Sequence, residues 1–228
     1  MQALDEPGPS KPELDQAKIK LSIIIAGAGI GGLAAAIALR RRGHSVIVFE
    51  KAPELGEVGA GIQVPPNSSR LLLKWGLGPY LQGKANEPEA IRMRRWQNGE
   101  LLSQTKLHPE SRILYGAPYY VVHRADLQLS MYALALALGA EIILNSPIKT
   151  FYETTASVEL FGGEIHSADL VVAADGIKSE ARRVVLGGVD EPPVFNGFAA
   201  YRAIVDTKLM EKDPEISWLL ETPGQNLW

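Results

Sequence analysis

The sequence predicts an α/β protein organised around a parallel sheet, and three observations carry that reading. A continuous apolar run, Leu21 to Ala26, passes through a cluster of glycines into a second apolar run that ends in Arg40-Arg41-Arg42 and Gly43. A third run, Val46 to Glu50 (VIVFE), follows closely enough for strand, helix and strand to form one βαβ unit, typically about 30 residues with a right-handed crossover. Far downstream, Leu170 to Ala174 is again unbroken and apolar, as expected of a strand covered on both faces, and it ends in Asp175-Gly176.

Composition sets the limits. A chain of 228 residues leaves room for one large domain, or one and part of another. With 46% hydrophobic and 21% charged residues it is globular in character rather than disordered. A net charge of −3 argues against a large basic footprint for nucleic acid. The absence of cysteine removes disulfides, thiolate zinc sites, iron–sulfur clusters, a cysteine nucleophile and any cysteinyl-linked cofactor. His44, His108, His123 and His166 are scattered without ligand spacing, so metal chemistry is not expected.

The elements follow in order. Residues 1–18, rich in proline and acidic side chains, read as a disordered leader. They have neither the basic start and apolar core of a secretory signal nor the Arg-rich, acid-poor composition of a mitochondrial address, so a cytoplasmic location is expected. Ile19 to Leu39 is apolar enough to suggest a membrane span, but Lys20 interrupts it and Gly27, Gly29, Gly31 and Gly32 cluster at its middle. A strand, a turn and a helix from Leu33 to Arg42 explain the same letters better. The arginine triplet then suits the negative end of the helix dipole and reads as a solvated helix end.

Asn67 to Trp75 predicts a short helix. Ile91 to Trp96 and Glu100 to Ser103 predict a hairpin around Gln97-Asn98-Gly99. Ala125 to Leu138 is a helix with Leu127, Met131, Leu134 and Leu138 on one face and Gly139 just beyond it. A strand at Glu141 to Leu144 and two strands around Gly162-Gly163 follow. There is no internal repeat.

The first motif that carries chemistry is Gly27-Ala28-Gly29-Ile30-Gly31-Gly32, a G-x-G-x-x-G between a strand and a helix. Gly27 permits the tight turn, Gly29 lets a pyrophosphate approach the backbone, and Gly32 allows close helix–strand packing. The helix N-terminus offers unpaired N–H groups to the phosphates. Glu50 stands 18 residues after Gly32 at the tip of the second strand, with Lys51 beside it. A carboxylate there accepts from a ribose diol and repels a 2′-phosphate, which favours FAD or NAD over NADP. The motif does not separate FAD from NAD, and a glycine turn that merely packs is the alternative reading.

Further residues carry a resemblance. Glu57-Val58-Gly59-Ala60-Gly61-Ile62-Gln63-Val64-Pro65-Pro66-Asn67, then His123-Arg124-Ala125-Asp126-Leu127, then Ala173-Ala174-Asp175-Gly176, then Gly197-Phe198-Ala199-Ala200-Tyr201-Arg202 occur in this order. As a set they resemble the single-component flavin aromatic hydroxylases, above all the salicylate hydroxylase-like and para-hydroxybenzoate hydroxylase-like enzymes, from Lys20 to Trp228. The resemblance implies a discontinuous Rossmann-like FAD-binding domain over residues 19–85 and 108–190. It also implies part of an interleaved, β-rich substrate domain over residues 86–107 and 191–228.

The resemblance also implies roles. Gly27, Gly29, Gly32, Glu50 and Lys51 would serve the adenosine and pyrophosphate of FAD. Ala60 and Gly61 would let the chain pass beside the flavin ring, with Gln63 and Val64 near it. Arg124 would reach the FAD phosphates, or else pair at the surface with Asp126. Asp175 would shape a turn serving FAD and the nicotinamide nucleotide, or form a plain Asp-Gly turn. Arg202 is the candidate catalytic residue, a planar and permanently charged guanidinium holding a substrate phenolate, or else an ion pair with Asp206. His44 and His123 are expected to be surface or loop residues.

The implied activity is an FAD-dependent monooxygenase in which NAD(P)H binds transiently as co-substrate, O₂ supplies the oxygen, and a phenolic or other electron-rich small aromatic accepts it. Nucleic acid and a stable membrane span are not expected. The alternatives are a flavin oxidase or reductase of a non-aromatic substrate, or a truncated, non-catalytic fragment. The dipeptide Gly-Asp, part of the family's second FAD fingerprint, occurs nowhere in the chain, so the resemblance is to the N-terminal part of such an enzyme.

Overall fold

The computed structural model of the protein describes residues 16–56, 60–189, 194–199, 205–217 and 220. Most of the leader, Glu57-Val58-Gly59, Tyr201 and Arg202 lie outside the described residues, as does most of the apolar stretch Phe198 to Val205. In chain order the elements are β1 (Ser22–Ala26), α1 (Ile30–Arg41), β2 (Ser45–Phe49), β3 (Gly61–Val64), α2 (Pro66–Lys74), α3 (Gly78–Leu81), β4 (Ala85–Asn86), β5 (Ala90–Arg94) and β6 (Leu101–Lys106). There follow α4 (Glu110–Tyr115), β7 (Tyr120–His123), α5 (Arg124–Ala137), β8 (Glu141–Ile143), β9 (Ile148–Tyr152), β10 (Ser157–Leu160), β11 (Ile165–Ser167), β12 (Leu170–Ala173), α6 (Glu180–Val185) and α7 (Thr207–Met210).

The chain forms two compact units. The first takes the described residues up to Gly56, Lys74–Tyr80, and the described residues from Gln128 to 189. Its centre is a four-stranded parallel sheet in the order β12-β1-β2-β8. Ile23, Ile24 and Ile25 on β1 are all buried, because β1 has a strand on each edge and cover on each face. Alternation along the strands sorts the cover. Ile24 and Phe49 pack with Val158 and Leu160 of the antiparallel sheet β11-β10-β9, and Ile47, Ile143, Ile148, Phe151 and Val171 complete that cluster. Ile25 and Val48 point to the opposite face, as period-2 geometry requires, and α1 lies along β1 and β2 with Leu33, Ala36 and Ile37 buried.

Several expectations need correction. Helix α1 begins at Ile30 rather than Leu33, since Gly29 is extended (φ −68°, ψ 176°) and the two following glycines already take up the helix. The arginine triplet is not simply solvated. Arg40 donates from Nε to the Leu138 carbonyl (2.9 Å) and from Nη1 to the His44 carbonyl (2.6 Å), and Arg41 donates to the Trp75 carbonyl (3.1 Å). Strand β12 is not buried on both faces. Among the described residues it is one of the two edge strands of the sheet, and Leu170 is 43% exposed. Strand β9 was not foreseen, because Ile-Lys-Thr-Phe-Tyr mixes polar and apolar residues over only five positions. His44 sits in the turn before β2, where its Nδ1 accepts from the Leu21 N–H (3.2 Å).

The second unit takes residues 60–73, Leu81–Leu127 and the described residues from 194 onward. Strands β3, β7 and β4 form an antiparallel sheet in which Gly61 faces His123 and Val64 faces Tyr120. The expected hairpin is β5–β6, closed where the Gly99 N–H donates to the Arg95 carbonyl (2.8 Å) with Gly99 at φ +71°. Arg112 grips Glu87 with two hydrogen bonds of 2.8 and 2.6 Å. That guanidinium holds the Glu87 carboxyl below its usual range, against an opposing effect of burial. Among the described residues no helix is long and apolar enough to cross a membrane, and α1 itself has 12 residues.

Candidate functional site

The glycine turn between β1 and α1 is shaped by contacts that only glycine tolerates at two of its positions. Gly27 has φ +99°, and a Cβ there would stand 2.6 Å from the Ala174 carbonyl oxygen. A Cβ on Gly32 would stand 1.9 Å from the carbonyl oxygen of Gly27. The turn is thus folded back on itself and seated against the residue that follows β12. Gly29 differs: its φ is one that any residue adopts, and a Cβ there would meet nothing within 4 Å. Gly27 and Gly32 are required by the protein's own backbone, whereas the described residues leave open space in front of Gly29.

Helix α1 starts at that open space with no side-chain cap on its N-terminus and no acidic residue in its first turn. The first N–H groups of a helix lack intrahelical partners and carry the positive end of the dipole. An anion is the natural partner of such an end, and the residues present fit a pyrophosphate there.

Ala28 ties the turn to the rest of the unit. It is fully buried. Its N–H donates to Glu50 Oε2 (2.6 Å), while Glu50 Oε1 accepts from the Ala52 N–H (2.9 Å). Its carbonyl accepts from Gln128 Nε2 (3.0 Å), and the Gly27 N–H donates to the Phe49 carbonyl (2.7 Å). The Glu50 carboxylate therefore holds the turn and the chain beyond β2 together. Its two oxygens, with about four lone-pair positions between them, keep capacity for ribose hydroxyls. Lys51 next to it is exposed.

Asp175 follows β12 with its carboxylate turned onto helix α6. Oδ1 accepts from Ser179 Oγ (2.7 Å) and Oδ2 from the Ala181 N–H (3.2 Å), while Ser179 Oγ caps the Arg182 N–H (2.9 Å). The first unit thus brings together Gly27, Gly29, Gly32, Glu50 and the Ala174-Asp175 corner.

The second unit holds the other expected positions. Ala60 accepts from the Arg124 N–H (3.1 Å), which joins the chain before β3 to the start of α5. Gly61 and Gln63 are exposed on β3, and Val64 is buried. The Tyr119 hydroxyl donates to Gln63 Oε1 (2.5 Å), leaving the Gln63 Nε2 group to donate elsewhere. Burial raises the pKa of the Tyr119 hydroxyl, so it remains a donor.

The chain is similar to known proteins over this region and beyond it. The model of the NAD(P)-binding Rossmann-like domain matches residues 25–80, the span from the end of β1 to α3. The FAD-dependent monooxygenase OpS4 of Beauveria bassiana is 37% identical over 210 residues, covering 91% of this chain and 49% of that protein. The 3-amino-4-hydroxybenzoate 2-monooxygenase of Streptomyces cremeus is 37% identical over 212 residues, covering 91% of this chain and 52% of that protein. The crystal structure of CtdE in complex with FAD and substrate 4 superposes with a TM-score of 0.74 at 27% identity, over 89% of this chain and 49% of that one. Over the stretch it shares with them, the chain is similar to the FAD-dependent aromatic-hydroxylase-like monooxygenases. It spans about half the length of the curated relatives it matches.

One residue that holds the turn escaped the sequence reading. Gln128 lies 100 positions from Ala28 and carries no motif. The available signal was an amide beside the apolar face that Leu127, Met131 and Leu134 define on α5.

Proposed function

We propose that the chain binds FAD through its first unit and serves an NAD(P)H-driven monooxygenase of phenolic or other electron-rich small aromatics, with O₂ as co-substrate. The observation that carries this is the pinned glycine turn. It has open space at Gly29, an uncapped helix behind it and the Glu50 carboxylate beside it. In this reading Gly29 and the first turn of α1 receive the pyrophosphate. Glu50 accepts from the adenosine ribose, and Gly27 and Gly32 hold the turn in shape. Bound FAD supplies the redox and oxygen-transfer chemistry.

Arg124, Ala60, Gly61, Gln63, Val64 and Lys51 are proposed as further cofactor-binding positions, and Asp175 as the shaper of its turn, on the family resemblance. Arg202 is proposed, on the same ground, to hold the anionic ring of the substrate. The named activity of the Streptomyces relative on a hydroxybenzoate supports an anionic aromatic. A cytoplasmic setting, where reduced nicotinamide nucleotides and O₂ are both available, belongs to the same proposal.

The test is equilibrium titration of the purified protein with FAD, followed by flavin fluorescence, with ADP and 2′,5′-ADP as competitors. ADP should compete and 2′,5′-ADP should not, because the latter lacks the pyrophosphate and sets a 2′-phosphate against the Glu50 carboxylate. Absence of FAD and ADP binding would overturn the reading. A further assay of NAD(P)H oxidation with hydroxybenzoates, scored by hydroxylated product, tests the activity itself.

A further inference from the structure

We propose that Gln128 is a positioning residue for dinucleotide binding: its amide fixes the Ala28–Gly29 peptide so that the Gly29 N–H is presented to the pyrophosphate. This rests on the dinucleotide reading above.

The argument begins with Ala28. Its two backbone polar groups are both held by side chains, its N–H by Glu50 and its carbonyl by Gln128. Neither partner belongs to the ladder of the parallel sheet. A peptide unit is planar and trans, so the Ala28 carbonyl and the Gly29 N–H on the next atom point in opposite directions. Holding the carbonyl toward α5 therefore aims the Gly29 N–H away from α5. Among the described residues a Cβ on Gly29 finds nothing within 4 Å, so the space they leave about this residue is open. With the Gly27 N–H also bonded to the Phe49 carbonyl, the turn has few ways left to rotate a peptide.

The second observation is what Gln128 gives up. The side chain is 5% exposed, yet its Oε1 atom is buried without a hydrogen-bond partner among the described residues. An unmatched buried acceptor costs about 1–3 kcal/mol. A methionine of the same length would remove that unmatched oxygen and leave the buried Ala28 carbonyl without its donor instead, so the two costs roughly offset. Among the described residues the hydrogen bond of this amide goes to the turn.

The experiment uses the full chain and three proteins: wild type, Gln128→Met and Gln128→Glu. ADP and FAD affinities are measured by titration between pH 5 and 8, together with melting temperatures and amide exchange of Gly27 to Gly29. Gln128→Met should melt close to wild type, exchange faster in the turn alone, and bind ADP up to about tenfold more weakly. Gln128→Glu separates donation from packing. Its ionised carboxylate can only accept, so it faces the Ala28 carbonyl with no proton to offer. Its protonated form regains a donor. Affinity of Gln128→Glu should therefore climb toward wild type as pH falls, while Gln128→Met runs parallel to wild type. Glu50 is the other titratable group on Ala28, and the wild-type profile subtracts its contribution. Wild-type affinity in both variants, or weakened binding with no recovery of Gln128→Glu at low pH, would overturn the role of Gln128. Absence of ADP and FAD binding by the wild type would overturn the dinucleotide reading, and this role with it.

Discussion

Gly29 and Gly32 stand three residues apart and are glycines for different reasons, which makes them a matched pair of probes. A Cβ at Gly32 would stand 1.9 Å from a backbone oxygen, so Gly32→Ala should lose about 1–3 kcal/mol of stability, read as a fall in Tm. Gly29→Ala meets no atom of the described residues within 4 Å, so it should keep its Tm and lose ADP binding. Equal effects of both variants on Tm would contradict this division. Glu50 supplies another test. Gln at position 50 would keep one acceptor and turn an N–H₂ toward the N–H of Ala28 or Ala52. Glu50→Gln should weaken ADP binding by tenfold or more, since hydrogen bonds to charged groups contribute about 1.5–3 kcal/mol. Unchanged affinity on titration would remove Glu50 from the site. At this scale the glycine spacing was legible because a turn is a local object. The second use of Glu50, as an anchor for Ala28 and Ala52, was not legible, since spacing alone says nothing of where a carboxylate points.

Elements were legible where one physical signal dominated. The unbroken apolar runs of β1 and β2 and the Asn-Gly turn of the β5–β6 hairpin read directly as what they are. Strands β3 and β7 did not, because glycine, glutamine, tyrosine and histidine on a half-exposed sheet leave no clean alternation. Strand β12 was found but misplaced, since an apolar run does not say whether a strand is central or at an edge. Its attachment is specific. Asp169 Oδ2 accepts from the Ser22 N–H (2.7 Å) and Ser22 Oγ (2.6 Å), joining the starts of β12 and β1. The Ser22 hydroxyl first, and then its N–H, hold the Asp169 carboxyl below its ordinary value of 3.8. A lowered carboxyl pKa contributes stability that is fully present above the ordinary value and is lost as pH falls through the folded one. Ser22→Ala should therefore melt lower than wild type near neutral pH, and the gap should close as the solution is acidified below 3.8. A gap that persists unchanged at low pH would assign the loss to packing instead.

At the scale of the whole molecule, the proposed dinucleotide site means that the stability of the first unit should register its ligand. A dinucleotide that binds only the folded form adds RT ln(1 + [L]/Kd), about 2.7 kcal/mol at a hundredfold excess over Kd. Thermal unfolding with ADP or FAD should therefore shift upward, and 2′,5′-ADP at the same concentration should leave Tm in place. A rise with 2′,5′-ADP equal to that with ADP would show that Glu50 exerts no selection against a 2′-phosphate. The same sheet has a consequence for how the chain is made. Of the strands that flank β1, only β2 is close in sequence; β12 is anchored through Ser22 and Asp169, 147 positions apart. On the ribosome, β1, α1 and β2 emerge first and must wait, with both outer strand edges bare, while the residues of the second unit are synthesised. Only when β8 and β12 arrive does the Ala174 carbonyl close against Gly27. The glycine turn is thus among the last parts of its unit to be completed, and until then the bare strand edges are a hazard for pairing with a neighbour.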